Sequence, residues 1–161
     1  MTLEVRRLEP GDNAAAAGVI VQDAYFPLPG YPRNEEYDLL LADVHGRASE
    51  VVVAFDEGRL VGCLTYVADM NSPHAEFEDG DAASFRYFGV HPSAQGSGIG
   101  EAMVQWCIDA ARADGRHRIR IHTLESMPGA QRLYLRLGFV RDPESDEEWD
   151  GIKGLAFVYH C

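Results

Sequence analysis

No run of apolar residues in this chain approaches the roughly 20 needed to cross a bilayer as a helix. The opening residues MTLEVRRLEP place no apolar core behind their two arginines, so no secretory signal is read there. A cytoplasmic protein without membrane contact is therefore the expectation. Cysteine is scarce as well. Cys63, Cys107 and Cys161 are odd in number, far apart and free of CxxC spacing, which argues against a disulfide framework and against a zinc site. The histidines His45, His74, His91, His117, His122 and His160 form no HxxxH or HExxH group, so no metal is expected. Positive charge is also in short supply, with 14 Lys and Arg against 26 Asp and Glu, for a net charge of −12. A surface of that sign disfavours nucleic acid and suits a cationic or amine partner.

What remains is ample for a globular core. The chain has 161 residues, 46% of them apolar, which suits one domain over residues 1–161. The charge is uneven. Residues 1–80 carry 5 basic and 15 acidic side chains, whereas 81–161 carry 9 and 11. Within 86–141, eight arginines face Glu101, Asp109, Asp114 and Glu125, a local excess of positive charge that suits a polyanionic cofactor.

The pattern along the chain alternates between strand and helix. Leu3, Val5 and Leu8 suggest a first strand, and Asp12 is a good N-cap for an Ala-rich helix to about Phe26. Pro27, Pro29, Gly30 and Pro32 break the chain, after which Asn34 can cap a short second helix. Residues 50–55 and 59–68 read as a hairpin around Asp56-Glu57-Gly58. An acidic loop, 69–81, leads to a strand over 84–90. Met103, Val104, Trp106, Cys107, Ile108 and Ala111 form the apolar stripe of a later helix that ends at Asp114-Gly115. Residues 117–124 alternate as a strand, with Ile119 and Ile121 on one face and Arg118, Arg120 and His122 on the other. Pro128 opens a helix stopped by Gly138. Residues 139–141 and 155–160 are the last strands, separated by an acidic loop, 142–150.

The stretch VHPSAQGSGIGEAM, from Val90 to Met103, sets a glycine-rich loop between a strand and a helix. Gly96, Gly98 and Gly100 let the backbone approach a ligand closely, and a helix starting near Gly98 aims its unpaired N–H groups and positive dipole end outward. That is an anion site, and phosphate is its usual occupant. Walker A spacing fails because Glu101 and Ala102 stand where Lys and Ser or Thr belong. A GxGxxG fingerprint starting at Gly96 fails because Glu101 replaces its last glycine. The pattern QxxGxG, from Gln95 through Gly98 to Gly100, does fit, and it resembles the acetyl-CoA signature of the GCN5-related N-acetyltransferase (GNAT) superfamily. Downstream, Ala130, Leu133, Tyr134, Leu137, Gly138 and Phe139 form AxxLYxxLGF, which resembles a second motif of the same superfamily.

The resemblance covers nearly the whole chain. It implies an α/β fold with a mixed, mostly antiparallel sheet of six to seven strands, helices on both faces, and the fourth and fifth strands splayed. It further implies direct transfer of an acetyl group from acetyl-CoA, as cosubstrate, to a primary amine. By that resemblance, Phe88, Gly89 and Val90 bind pantetheine and polarise the acetyl carbonyl. Gln95, Gly96, Ser97, Gly98, Ile99 and Gly100 hold the pyrophosphate. Tyr134 approaches sulfur as general acid, although its spacing taken alone reads as a core aromatic.

Two departures stand out. Ala83-Ser84-Phe85-Arg86 occupies the region where many relatives carry a glutamate, and Met127 stands where an asparagine is common. The proton acceptor is left open among Glu76, Glu78, Asp81, His122 and Glu125. Trp149 either lines an acceptor pocket or covers a sheet edge. Cys107 falls on an apolar stripe and reads as packing. A protein N-terminal or lysine acetyltransferase is the alternative enzyme, a non-catalytic acyl-CoA sensor is the alternative of another class, and a homodimer is left open.

Overall fold

A computed structural model of the protein describes residues 2–31 and 34–161, so Pro32 lies outside the described residues. The chain divides into two compact units. One comprises the chain up to Tyr66 together with Tyr87–Trp106, the other Val67–Arg86 with Cys107–Cys161.

The first unit begins with strand β1 (Leu3–Arg7), helix α1 (Ala14–Tyr25) and helix α2 (Glu35–Ala42), followed by β2 (Val51–Asp56) and most of β3 (Arg59–Val67). Strand β1 pairs antiparallel with β2, and β2 with β3. The β2–β3 turn places Glu57 at φ 50° and Gly58 at φ 80°, the double positive φ that a two-residue type I′ turn demands. Asn34 caps α2 as expected, accepting from the Tyr37 amide at 3.1 Å. At α1 the cap is Asn13, which accepts from the Ala16 amide at 3.0 Å, and not Asp12. Asp12 is drawn off by charge, since Arg6 donates to both of its oxygens at 2.7 and 3.0 Å. Helices α1 and α2 cross where Gly18 faces the Ala42 carbonyl with no room for a Cβ. Ala17, Val21, Leu41, Val44, Val51, Val53, Cys63 and Tyr87 make the core. Burial pushes the Cys63 thiol up to about 12, which leaves it an inert packing group.

Strand β4 (Ala82–Val90) and helix α3 (Ile99–Ala113) run through both units. The second unit adds β5 (Arg118–Leu124), α4 (Pro128–Arg136), β6 (Val140–Arg141), β7 (Glu147–Trp149) and β8 (Ile152–His160). The strand path is β1-β2-β3-β4-β5-β8-β6, with β7 on β8, and β4–β5 is the parallel pair in a sheet otherwise antiparallel in its described pairings. Strand β7 lies within the acidic loop expected over 142–150. Its three residues are exposed and carry no apolar alternation, but Asp150 at φ 50° and Gly151 at φ 82° make the same type of turn as Glu57-Gly58. The Asp-Gly pair was the available signal for it.

Strand β5 alternates as expected. Ile119, Ile121 and Thr123 are buried on one face, and the other face is a charge network. Arg118 donates to both oxygens of Asp79 at 2.9 Å, and Arg120 bonds Asp79 at 2.6 Å and Asp142 at 2.9 Å. On β6, Arg141 forks onto Asp146 at 2.8 Å through both terminal nitrogens. Three of the eight arginines in 86–141, Arg118, Arg120 and Arg141, are thus committed to internal ion pairs, which lowers the positive charge left for an anionic ligand.

Those pairs set an acid limit on stability. The Arg118 guanidinium, helped by Arg120, holds the Asp79 carboxyl well below the usual carboxylate range, and Arg141 does the same to Asp146. Both groups bind protons more readily unfolded, so their contribution is present above pH ~4 and is lost as pH falls through their folded values. Asp79→Asn should therefore lower the unfolding free energy by about 1–2 kcal/mol at pH 7. Urea melts of the two proteins should converge toward pH 2, and a gap independent of pH would contradict the ionic origin.

Candidate functional site

Two sets of sequence-identified residues carry chemistry, one in each unit. In the first unit, β4 ends at Val90 and a short 3-10 turn, Pro92–Ala94, leads into the glycine loop. Gly96 and Gly98 adopt φ of 82° and 85°, a region closed to most side chains, and a Cβ at either would meet nothing within 4 Å. The conformation, and not crowding, therefore calls for glycine there. Side chains of the loop turn back on the protein. Gln95 Nε2 donates to the Val90 carbonyl at 3.2 Å, the Ser97 hydroxyl donates to the Ala94 carbonyl, and Ile99 is buried. Gly100 is the second residue of α3, whose first recorded inward bond is from the Ala102 amide to the Gly98 carbonyl at 3.1 Å. Among the described residues, the amides of Gly96, Ser97, Gly98, Ile99 and Gly100 meet no recorded acceptor. Five N–H groups without an acceptor around a helix start are what an anion requires.

Upstream, Phe88 and Val90 are half-buried. Gly89 has a packing reason of its own, because a Cβ there would lie 2.7 Å from the Ile20 carbonyl of α1. Tyr87 was not singled out from the sequence. It sits at φ 52°, an uncommon place for a bulky residue, so the strand turns out of line just before Phe88. Its ring lies 4.3 Å from the guanidinium carbon of Arg47.

In the second unit, Tyr134 is 5% exposed among Phe85, Phe139 and Phe157, with ring centroids at 5.8, 5.6 and 6.0 Å. Burial raises its phenol above the ordinary value of 10, so the hydroxyl keeps its hydrogen at any working pH. No hydrogen-bond partner is recorded for that hydroxyl among the described residues. Pro128 opens α4, and Met127, which precedes it, accepts from the Thr123 hydroxyl through sulfur at 3.6 Å. The pairing of β4 with β5 extends only over Ala82–Arg118 and Ala83–Ile119, after which the strands part. Cys107 is buried, in keeping with a packing role, and Cys161 is exposed.

Of the five candidates for a proton acceptor, two meet. His122 Nδ1 lies 3.4 Å from Glu76 Oε2, and the imidazole stacks on Phe77 at 4.4 Å with Trp149 edge-on at 5.3 Å. Glu78, Asp81 and Glu125 do not join this cluster. Trp149 serves as a wall for His122, while 40% of its surface stays exposed.

Residues 19–139 match the model of the Acetyltransferase (GNAT) family. An uncharacterised N-acetyltransferase, ycf52, from Pyropia yezoensis is 28% identical over 111 residues, which is 66% of this chain and 59% of that protein. The chain thus spans about three-fifths of the curated relative it matches. Among solved structures, a GCN5-related N-acetyltransferase from Kribbella flavida superposes with a TM-score of 0.72 at 23% identity, covering 99% of this chain and 98% of its own. Salmonella typhimurium yncA, a putative acetyltransferase with its cofactor acetyl-CoA, gives 0.71 at 20% identity, covering 98% and 93%. At such identities the structural likeness speaks for the fold alone. The family match spans three-quarters of the sequence, and the chain belongs to the acetyltransferase (GNAT) family.

Proposed function

We propose that this protein transfers an acetyl group from acetyl-CoA to a primary amine, directly and without a covalent enzyme intermediate. The observation that carries the reading is the row of acceptor-free amides from Gly96 to Gly100 at the start of α3. The residues fit a pyrophosphate. They present N–H groups at the start of α3, in a conformation that Gly96 and Gly98 make accessible. Gln95 then braces the loop against the end of β4 and does not itself reach for the ligand. Phe88, Gly89 and Val90 take the pantetheine arm along their backbone, polarising the thioester carbonyl as charge builds on its oxygen. Tyr134 supplies a hydrogen to the departing sulfur. Holding acceptor and thioester together accounts for much of the rate.

A small cationic amine is the acceptor most in keeping with a net charge of −12. Supporting this over binding alone is Tyr134, a buried and protonated phenol with no structural hydrogen bond to account for its hydroxyl.

The binding half is tested by thermal shift. Acetyl-CoA should raise the melting temperature, and ADP, which shares the pyrophosphate, should do so more weakly. Gly98→Val should weaken acetyl-CoA binding by roughly 10- to 100-fold, the equivalent of the 1–3 kcal/mol that a side chain costs at such a φ. No protein atom stands where the new Cβ would go, so the loss should exceed any effect on folding. No shift with acetyl-CoA would sink the reading. A shift without thiol release on any amine would make the protein an acyl-CoA binder.

A further inference from the structure

Strand β4 holds no carboxylate, yet its charged residue, Arg86, reaches one. Arg86 Nε lies 3.4 Å from Glu76 Oε1, and its Nη1 donates to the His74 carbonyl at 2.9 Å. The loop between β3 and β4 is held down at further points, by Arg118 and Arg120 on Asp79 and by Arg116, which donates to the Ala68 and Gly80 carbonyls at 2.8 and 3.1 Å. Glu76 is therefore fixed in place.

Its second oxygen faces His122. The His122 side chain is 4% exposed and that of Glu76 15%, so the carboxylate stands nearer to solvent and the imidazole behind it. His122 Nε2 lies 2.8 Å from the Ser145 carbonyl, which can only accept, so Nε2 carries hydrogen and Nδ1 is the atom that titrates. Nδ1 is buried and without a hydrogen-bond partner. When it is unprotonated, two acceptors face each other across 3.4 Å with no hydrogen between them. Such a pair draws a proton.

The charged groups around the imidazole are Glu76, with Arg86 of β4 on its far side, and Glu147 of β7. Burial opposes charging the ring. Glu76, the Ser145 carbonyl and Glu147 together outweigh it, so the pKa is raised above 6.5. The cluster lies on the face of β5 opposite Thr123 and Met127, beyond the point where β4 and β5 part. Ser84 Oγ on β4, an even number of residues from Arg86 and so on its face, is buried and also unpartnered. Three groups thus share one face: a titrating nitrogen, a carboxylate held in place beside it and a bare hydroxyl.

We infer that Glu76 takes the proton from the attacking amine, with His122 behind it to receive that proton. This rests on the acetyl-transfer reading. The ammonium loses two protons in the reaction. The first passes to Glu76 and on to Nδ1 of His122, and from there returns to water. The nitrogen lone pair so freed forms the C–N bond as the C–S bond breaks, and the electron pair leaves with sulfur. The second proton leaves nitrogen for water as the amide forms, and the Tyr134 oxygen, having given its hydrogen to sulfur, regains one from water. Glu76 is then a catalytic residue, and His122 a positioning residue that acts through it.

The test is a thiol-release assay on the full chain with acetyl-CoA and butylamine, phenethylamine or a peptide with a free α-amine, from pH 5.5 to 9.5, beside thermal shifts with acetyl-CoA. In the wild type, kcat/KM should fall on the acid side, with the break above pH 6.5. Glu76→Gln should lower kcat about 100-fold with the acetyl-CoA shift unchanged. Glu76→Asp should recover part of the loss, and His122→Asn should move the acid break to lower pH. Full activity in Glu76→Gln overturns the inference while leaving acetyl transfer intact, as does a wild-type profile with no acid limb. A wild type that binds acetyl-CoA and acetylates none of the amines overturns acetyl transfer and this inference together.

Discussion

Tyr134→Phe should lower kcat about 1,000-fold while leaving acetyl-CoA binding within roughly twofold, an effect of about 4 kcal/mol on the barrier alone. The expectation follows from where the ring and its hydroxyl sit. The ring is held by Phe85, Phe139 and Phe157, contacts that phenylalanine keeps, so the exchange removes one oxygen and leaves the packing in place. The hydroxyl has no recorded partner in the protein, so its loss strands no buried group. In apolar surroundings a hydrogen bond to a developing thiolate is stronger than in water, and burial that raises the phenol also makes the thiolate more basic. A group that acts protonated is lost only as pH rises through its pKa. For Tyr134 that lies above 10, so it should add no alkaline limb to the profile below that pH. Separate measurements of kcat and of the acetyl-CoA dissociation constant decide the matter. Unchanged kcat would return Tyr134 to the core aromatics, and a parallel loss of binding would make it a packing residue.

Both sets of candidate residues were legible in the sequence for the same reason: each is built from consecutive residues. QGSGIG needs only its local conformation to become a cradle of amides, and the residues around Tyr134 need only helical spacing. The alternation of Ile119, Ile121 and Thr123 with Arg118, Arg120 and His122 was equally local, because a strand with one apolar face records its orientation every second residue. What failed to show was nonlocal. Glu76 and His122 are 46 positions apart, and nothing in either neighbourhood says that a loop folds back to join them. For a related cause, a count of charge over 86–141 does not reveal that Asp79, Asp142 and Asp146 already hold Arg118, Arg120 and Arg141. Asp12 lost its expected capping role to Arg6 in the same way. Sequence order reports propensity, and long-range charge pairing overrides it.

The deepest nonlocal feature is Arg47, which drew no notice in sequence because it stands in a short polar stretch after α2. It is 3% exposed, and its guanidinium spends its donors on the C-terminal end of α2. Nη1 donates to the Leu40 and Asp43 carbonyls at 2.6 and 3.1 Å, Nη2 to the Leu41 carbonyl at 2.8 Å, and Nε to the Thr65 hydroxyl at 2.9 Å. A cation at that end of a helix meets the last-turn carbonyls, which the helix leaves underused, together with the negative end of the dipole. Arg47→Met fills the space but leaves those carbonyls without the guanidinium. It should cost about 3–5 kcal/mol of stability, or roughly 10 °C in Tm. Arg47→Lys should fall between, since an ammonium keeps the charge but cannot spread donors over four acceptors. The loss should also reach function. Arg47 covers the ring of Tyr87, whose φ of 52° is held at a cost of about 1–3 kcal/mol by its surroundings. Freed of that cover, Tyr87 should relax toward an extended conformation and carry Phe88–Val90 with it, weakening acetyl-CoA binding even at temperatures where the variant is fully folded. Urea melts and acetyl-CoA titration at 15 °C measure the two effects separately. A variant with wild-type affinity would confine Arg47 to stability, and a cost below about 1 kcal/mol would show that water reaches the carbonyls in its place.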